Sequence, residues 1–214
     1  ISGIVRSIVP DWDGSAWVSR PTRNPASLAL AVLRGPGARR PVPDERIDLD
    51  AFAAWHDYCR QRELTCDLVV DWDGATVGEV LDIVAACGDA VVRPIDGRWT
   101  PIVDRAQPGP IQLFTTRNTT AIQWSRSYEP IPDGLRIRYL DRDADYRPAE
   151  VVVWRDDAPT TGAVVDDLEL QGVTDRALAI RHGRRRLAEL QLRRETWTVQ
   201  VGWEYLACRP GDRV

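Results

Sequence analysis

Two histidines, His56 and His182, are the natural places to look for proton transfer in this chain. Neither has a carboxylate or cysteine at the short spacings that catalytic or metal-ligating sets use, so both are expected to be packed or surface side chains on helices. Serine nucleophiles have no elbow motif to sit in, and no glycine-rich phosphate cradle occurs. Asp141, Asp143 and Asp145 alternate in a way that could hold Ca²⁺, but the glycine and distal glutamate of an EF-hand loop are missing. Arg138, Arg142 and Arg147 lie close enough in sequence to neutralise these acids, which favours a hydrated turn between strands. Glu79, Asp82 and Glu150 could serve a glycoside hydrolase across a cleft, but nothing in the sequence pairs them. The chain is therefore expected not to be an enzyme, and neither a cofactor nor a metal is expected.

The remaining reactive or sticky side chains point to packing and contact. Cys59, Cys66, Cys87 and Cys208 lack both the CxxC spacing of a zinc site and the density of a disulfide scaffold. Cys59 and Cys87 fall on helix faces beside apolar residues, which predicts reduced core thiols; a Cys59–Cys87 or Cys66–Cys87 bridge stays open as the alternative. Arg181, Arg184, Arg185, Arg186, Arg193 and Arg194 form the local basic run, and Arg181, Arg184 and Arg185 share one helix face. That face is either solvated and paired with Glu189 and Glu195, or a contact to an acidic neighbouring subunit. Nine Trp against two Phe is an unusual balance. Trp12, Trp17 and Trp72 lie at or near turns where exposure would let them bind sugars or anchor an interface, whereas Trp197 and Trp203 are expected in the core.

The elements that must position these residues follow from local signals. A short strand at Ile4 to Val9 leads into a turn at Asp11-Trp12-Asp13-Gly14 and a second extended piece around Ala16 to Val18. Asn24 as N-cap and Pro25 at the first helical position open a helix running to Arg34, stopped by Gly35-Pro36-Gly37. Asp48 caps a helix from Leu49 to Arg62, and a strand is expected at Cys66 to Val70 before a second Asp-Trp-Asp-Gly turn at 71–74. Thr76 and Glu79 form a capping box for a helix that Gly88 ends. Asp96-Gly97 closes a hairpin between Val91–Ile95 and Arg98–Val103. Further strands are expected at Ile111–Thr115, Ala121–Tyr128, Leu135–Leu140, Glu150–Trp154 and Ala163–Leu170. Thr174 is expected to cap a long helix, 175–193, that leads into an alternating strand at Thr196–Tyr205 with one buried face. The fold class is α+β: mostly antiparallel, barrel-like sheet with three to four interspersed helices. The expected division is an extended segment at 1–23, an α+β subdomain at 24–115 and a β-rich subdomain at 116–214.

Composition sets the outer bounds. Hydrophobic residues are 43% and charged residues 28%, ordinary for a globular protein. No apolar run approaches the roughly 18 residues that a membrane-crossing helix needs. The net charge of −4 argues against nonspecific nucleic-acid affinity. All 28 basic residues are Arg, which points to a GC-rich genome rather than to guanidinium chemistry. A chain of 214 residues beginning at Ile1 and containing no Met is expected to be a piece of something longer.

The order of these elements, with Asn24-Pro25-Ala26, Ile47-Asp48-Leu49-Asp50, Tyr58-Cys59, Asp96-Gly97-Arg98, Leu113-Phe114-Thr115, Arg138-Tyr139 and Tyr146-Arg147-Pro148-Ala149 at the joints, resembles the central region of bacteriophage tail-tip attachment proteins of the lambda protein J type, also found in prophages and gene transfer agents. The resemblance implies a baseplate-hub role, a homotrimer around the tail axis linking the distal tail to the host-recognition region. It implies the distal tail protein and other tail-tip proteins as partners, DNA met only as it passes through the lumen, and location in the virion tail tip after synthesis in the bacterial cytoplasm. It supplies no catalytic residues. On this reading Arg181, Arg184, Arg185, Arg142, Arg147 and Tyr146 are the candidate subunit contacts. The rival functions are a tail-associated cell-wall glycoside hydrolase and a carbohydrate-binding module.

Overall fold

In a computed structural model, which describes residues 5–35, 40–71, 73–159 and 161–214, the chain forms two compact units. The first comprises Ile1–Asp104 with Gln171–Thr174, and the second Arg105–Leu170 with Asp175–Val214. Among the described residues the fold is α+β with four α-helices and mostly antiparallel pairing, as the sequence predicts, and the sheets stay open with none closing into a barrel.

The first unit opens with a hairpin of β1 (Ile8–Trp12) and β2 (Trp17–Pro21). Ile4, the expected strand start, lies outside the described residues. The turn begins later than expected, because Asp13 and not Asp11 takes it: Asp13 Oδ1 accepts from the Ser15 and Ala16 amides, both at 2.8 Å. Helix α1 (Pro25–Arg34) has Asn24 accepting from the Ala26 amide, with Pro25 in its first turn. Gly35 donates back to Ala31 at its end, while Pro36 and Gly37 lie outside the described residues. Helix α2 (Leu49–Gln61) is capped by the Asp48 side chain on the Ala51 amide. Helix α3 (Val77–Cys87) carries both arms of the Thr76/Glu79 capping box. Strands β3 (Ala90–Ile95) and β4 (Arg98–Val103) then turn at Asp96-Gly97, where both residues have positive φ.

Helix α1 packs against both α2 and α3, and the core between them is Leu30, Leu33, Phe52, Trp55, Leu81 and Val84. Gly88 is required at the end of α3: a Cβ there would lie 2.7 Å from the Trp55 ring, whose Nε1 donates to the Gly88 carbonyl at 2.8 Å. The expected strand at Cys66–Val70 is extended chain held by single bonds, Cys66 N–H to Arg23 and Asp67 N–H to Gly172. A ladder needs a partner strand, and the return segment 171–174 is too short to supply one.

In the second unit β6 (Gly134–Asp141) is the centre of a three-stranded sheet, antiparallel to β7 (Arg147–Trp154) and parallel to β8 (Val165–Glu169). Leu135, Ile137 and Tyr139 share one face, as their alternation predicts, and are buried with Val151 and Val153. Helix α4 (Arg176–Leu192) packs against β6 and β7 through Leu178, Ala179, Gly183 and Leu187. Its cap is Asp175, accepting from the Ala177 and Leu178 amides, rather than Thr174, whose hydroxyl is used in the first unit. The remaining ribbon pairs β5 (Thr119–Arg126) with β9 (Glu195–Val201) antiparallel. The expected strand at Ile111–Thr115 does not form, because Asn118 folds that stretch into a turn with its side chain on the Thr115 amide and the Leu113 carbonyl. Beyond Val201 the chain takes a 3-10 turn over Trp203–Ala207 instead of continuing the strand. Among the described residues no helix is long and apolar enough to cross a membrane.

Candidate functional site

A dense polar constellation that sequence spacing does not reveal surrounds Asp11. Asp11 is buried on β1 and accepts from Ser27 Oγ at 2.7 Å, Thr22 Oγ1 at 2.7 Å and Arg20 Nε at 2.5 Å. Arg20 takes Oδ2, and His56 Nε2 lies 2.9 Å from the Oδ1 that Ser27 and Thr22 share, so the proton is placed on that nitrogen. Burial raises the Asp11 carboxyl, but the hydrogen bonds from Ser27, Thr22, His56 and Arg20 outweigh it and hold the group at about 2. Serine, histidine and aspartate meet here, yet the carboxylate sits in the middle and Ser27 donates to it rather than to His56. A catalytic triad needs the histidine between the other two. This cluster fastens β1 to α1 and α2. Trp12 and Trp17, expected to be exposed, are instead half-buried: their rings lie 5.5 Å apart and Trp17 meets the His56 ring edge-on at 6.3 Å. Trp72 lies outside the described residues.

The other candidates resolve into structural roles. Asp141 Oδ1 accepts from the Asp143 amide at 2.9 Å, and Asp145 takes a left-handed conformation, so the Asp-rich loop is a self-capped turn. Among the described residues no group of acids, His or Cys could hold a metal. Glu79 serves its capping box, Asp82 pairs with Arg93 at 2.6 Å and Glu150 with Arg138 at 3.2 Å. On α4, Arg185 and Arg186 share Glu189 at 3.2 and 3.3 Å, while Glu195 faces Arg126 instead. Arg181 and Arg184 are exposed on the same helix. Arg142 reaches Asp175 at 3.2 Å, Arg147 is exposed at the start of β7, and Tyr146, with φ 56°, turns the chain by donating its amide to Asp141. All six residues proposed for contact therefore lie in the second unit, in two groups, one on α4 and one at the β6–β7 turn.

The four cysteines are free thiols, with Cys59, Cys66 and Cys87 buried and Cys208 half-buried.

One surface has no structural explanation within its own unit. The β5–β9 ribbon is amphipathic: Ile122, Trp124 and Arg126 stand opposite Val199, Trp197 and Glu195 on one face. Gln123 and Ser125 stand opposite Thr198 and Thr196 on the other. The Trp124 and Trp197 rings sit 6.1 Å apart, yet they are 52% and 60% exposed. Tyr128 and Trp203, beyond the ends of the two strands, are also exposed, at 80% and 82%. Trp197 and Trp203 thus contradict the expectation of core burial. The alternation is real, but a period of two shows only that a strand has an apolar face, not that its own chain covers it. Arg126 and Glu195 at the end of that face were the available hint, because charged residues commonly rim a contact patch.

A family model described as a putative phage tail protein matches residues 80–214, well over half of the chain. Among solved structures, a tail protein from Neisseria meningitidis MC58 is similar over 75% of this chain and 54% of its own, at 14% identity and a TM-score of 0.50. The 43 kDa tail protein of prophage MuSo2 from Shewanella oneidensis aligns over 72% and 49% at 14% identity, with a TM-score of 0.43. A chain of a native gene transfer agent virion aligns over 68% and 36% at 15% identity, with a TM-score of 0.44. The chain spans about half the length of the Neisseria protein, and the likeness shows a shared fold. No curated protein matches the chain.

Proposed function

The chain belongs to the putative phage tail protein family, and from that premise we propose that it is a baseplate-hub component of the tail tip, linking the distal tail to the host-recognition region as a homotrimer. The observation that carries the proposal is the uncovered β5–β9 ribbon. An isolated two-stranded ribbon is marginal in water, and its two open edges are templates for further pairing. Both strands lack proline, so past the irregularity between Thr119 and Ala121 each edge can accept a strand. If β9 of one copy lies against β5 of the next, the antiparallel alternation continues. Repeating the register inside the ribbon then sets Arg126 against the partner subunit's Glu195 and extends the row of Trp124 and Trp197. Such a contact joins two different edges, so it is heterologous and closes into a ring when the rotation allows. The basic face of α4 at Arg181, Arg184 and Arg185, and the turn at Arg142, Tyr146 and Arg147, are proposed as flanking contacts to other subunits or to the distal tail protein. Its location would then be the virion tail tip, with DNA passing through the ring.

The test is an immunoblot of a gradient-fractionated lysate after prophage induction, followed by immunogold labelling of the particles. Co-sedimentation with tails and label confined to the tip support the hub. A soluble band near 24 kDa overturns the tail assignment, and label along the tail shaft overturns the tip position alone.

A further inference from the structure

The geometry points to a disulfide-forming site at Cys66 and Cys87, oxidised by thiol–disulfide exchange with an oxidised low-molecular-weight thiol. Both residues are 2% exposed and lie in the first unit, one on the extended segment after α2 and the other at the last position of α3. The Cys87 side chain and burial push the Cys66 thiol well above its ordinary range. Gly172, with φ +81°, lies over the pair, and a Cβ at that position would stand 3.0 Å from both sulfurs. Two sulfurs that each stand 3.0 Å from one point are close neighbours, one from each element. The surroundings hold them there. Cys87 Sγ donates to the Gln171 carbonyl at 3.4 Å, and the Cys66 and Asp67 amides bond Arg23 and Gly172 at 2.9 and 2.8 Å. The Asp67 carboxylate is gripped by the Arg23 guanidinium and by Thr174 Oγ1. Cys59, by contrast, directs its sulfur to the Gly88 carbonyl.

The exchange needs one equivalent of oxidant. The Cys87 thiol loses its proton and its thiolate attacks a sulfur of oxidised glutathione, whose S–S bond breaks and releases one glutathione thiolate that takes up a proton. Cys66 then loses its proton and attacks the Cys87 sulfur of the mixed disulfide, releasing the second glutathione. Two protein thiols are oxidised and one glutathione disulfide is reduced to two thiols. The Cys87 sulfur beside it, together with burial, pushes the Cys66 thiol up and keeps it protonated, so reaction waits for local opening and is slow beside that of the more exposed Cys208. A tail protein assembles in a reducing cytoplasm and leaves it on lysis, and the bond would then fasten the end of α3 to the 66–67 segment. The inference concerns the first unit alone and stands or falls independently of the hub reading.

The test holds the purified full chain in a buffer of oxidised and reduced glutathione, alkylates the remaining thiols after denaturation, and maps peptides by mass spectrometry without reductant. The expected product is a Cys66–Cys87 peptide pair lacking two hydrogen atoms, with Cys59 still alkylated. Cys66→Ser and Cys87→Ser each abolish it, and Cys59→Ser leaves it unchanged. A bond joining a different pair, a stable glutathione adduct at Cys87, or two intact thiols at 66 and 87 once Cys208 is fully modified would each overturn the proposal.

Discussion

Asn in place of Asp11 is the sharpest test of how the first unit is held together. The wild-type carboxyl stands at about 2 against an ordinary 3.8, a difference of about 1.8, which at about 1.36 kcal/mol per unit is about 2.4 kcal/mol of stability at neutral pH. The folded value is depressed, so this stability is complete above the unfolded value and is lost as pH falls towards the folded one. Two-state linkage removes about 1.1 kcal/mol of it by pH 3 and about 2 kcal/mol by pH 2. Asp11→Asn keeps the shape and can keep an oxygen towards Ser27, Thr22 and His56, but its NH₂ then faces Arg20 Nε, so the carboxylate charge and the Arg20 bond are lost, the latter worth about 1–3 kcal/mol. At pH 7 the variant is therefore expected to be about 2–5 kcal/mol less stable than the wild type. The gap should shrink by about 1 kcal/mol at pH 3, because only the wild type has a carboxylate to titrate. Urea unfolding followed by tryptophan fluorescence at both pH values reads it. A gap that stays constant between pH 7 and pH 3, or one under about 1 kcal/mol at pH 7, would show that the four donors do not hold Asp11 ionised.

Three further outcomes are expected. Gly183→Ala puts a methyl onto Ile137 Cδ1 and 3.3 Å from Val153 Cγ2. Overpacking of about 1–3 kcal/mol then outweighs the roughly 1 kcal/mol that Ala gains in a helix. Adding Ile137→Val, which deletes that Cδ1, should recover part of the loss, and a double-mutant cycle in urea with no coupling would contradict the close α4–β6 packing. Thr76→Ala removes the hydroxyl that accepts from the Glu79 amide at 3.2 Å; a loss of about 1 kcal/mol is expected, with faster amide exchange confined to the first turn of α3. Replacing Trp124 and Trp197 together by Ser should change the unfolding midpoint little, since both rings are more than half exposed. It should abolish incorporation into sedimenting tail particles, and normal incorporation would remove the ribbon from the proposed interface.

Much of the fold was legible because its signals are local. Asn24-Pro25, Asp48 and Thr76/Glu79 satisfy the first amides of their own helices within three residues, and Asp96-Gly97 sets its own turn. These preferences act before any distant segment arrives. Leu135, Ile137 and Tyr139 likewise declared their buried face by alternation. What the sequence left open was which distant groups meet. Asp11 and His56 are 45 positions apart, and Asp67 and Thr174 are 107 apart. No spacing rule reaches that far, so those pairs exist only once β1, α2 and the returning 171–174 segment are packed. Nor could the sequence tell a strand face covered by its own chain from one left for a neighbour. The ladders of β6 and β9 alternate alike, yet α4 covers the first, while Trp124 and Trp197 remain in water. Local hydrogen bonding and side-chain period determined the elements of this protein; burial, which depends on what lies over each face, was decided only by the tertiary structure.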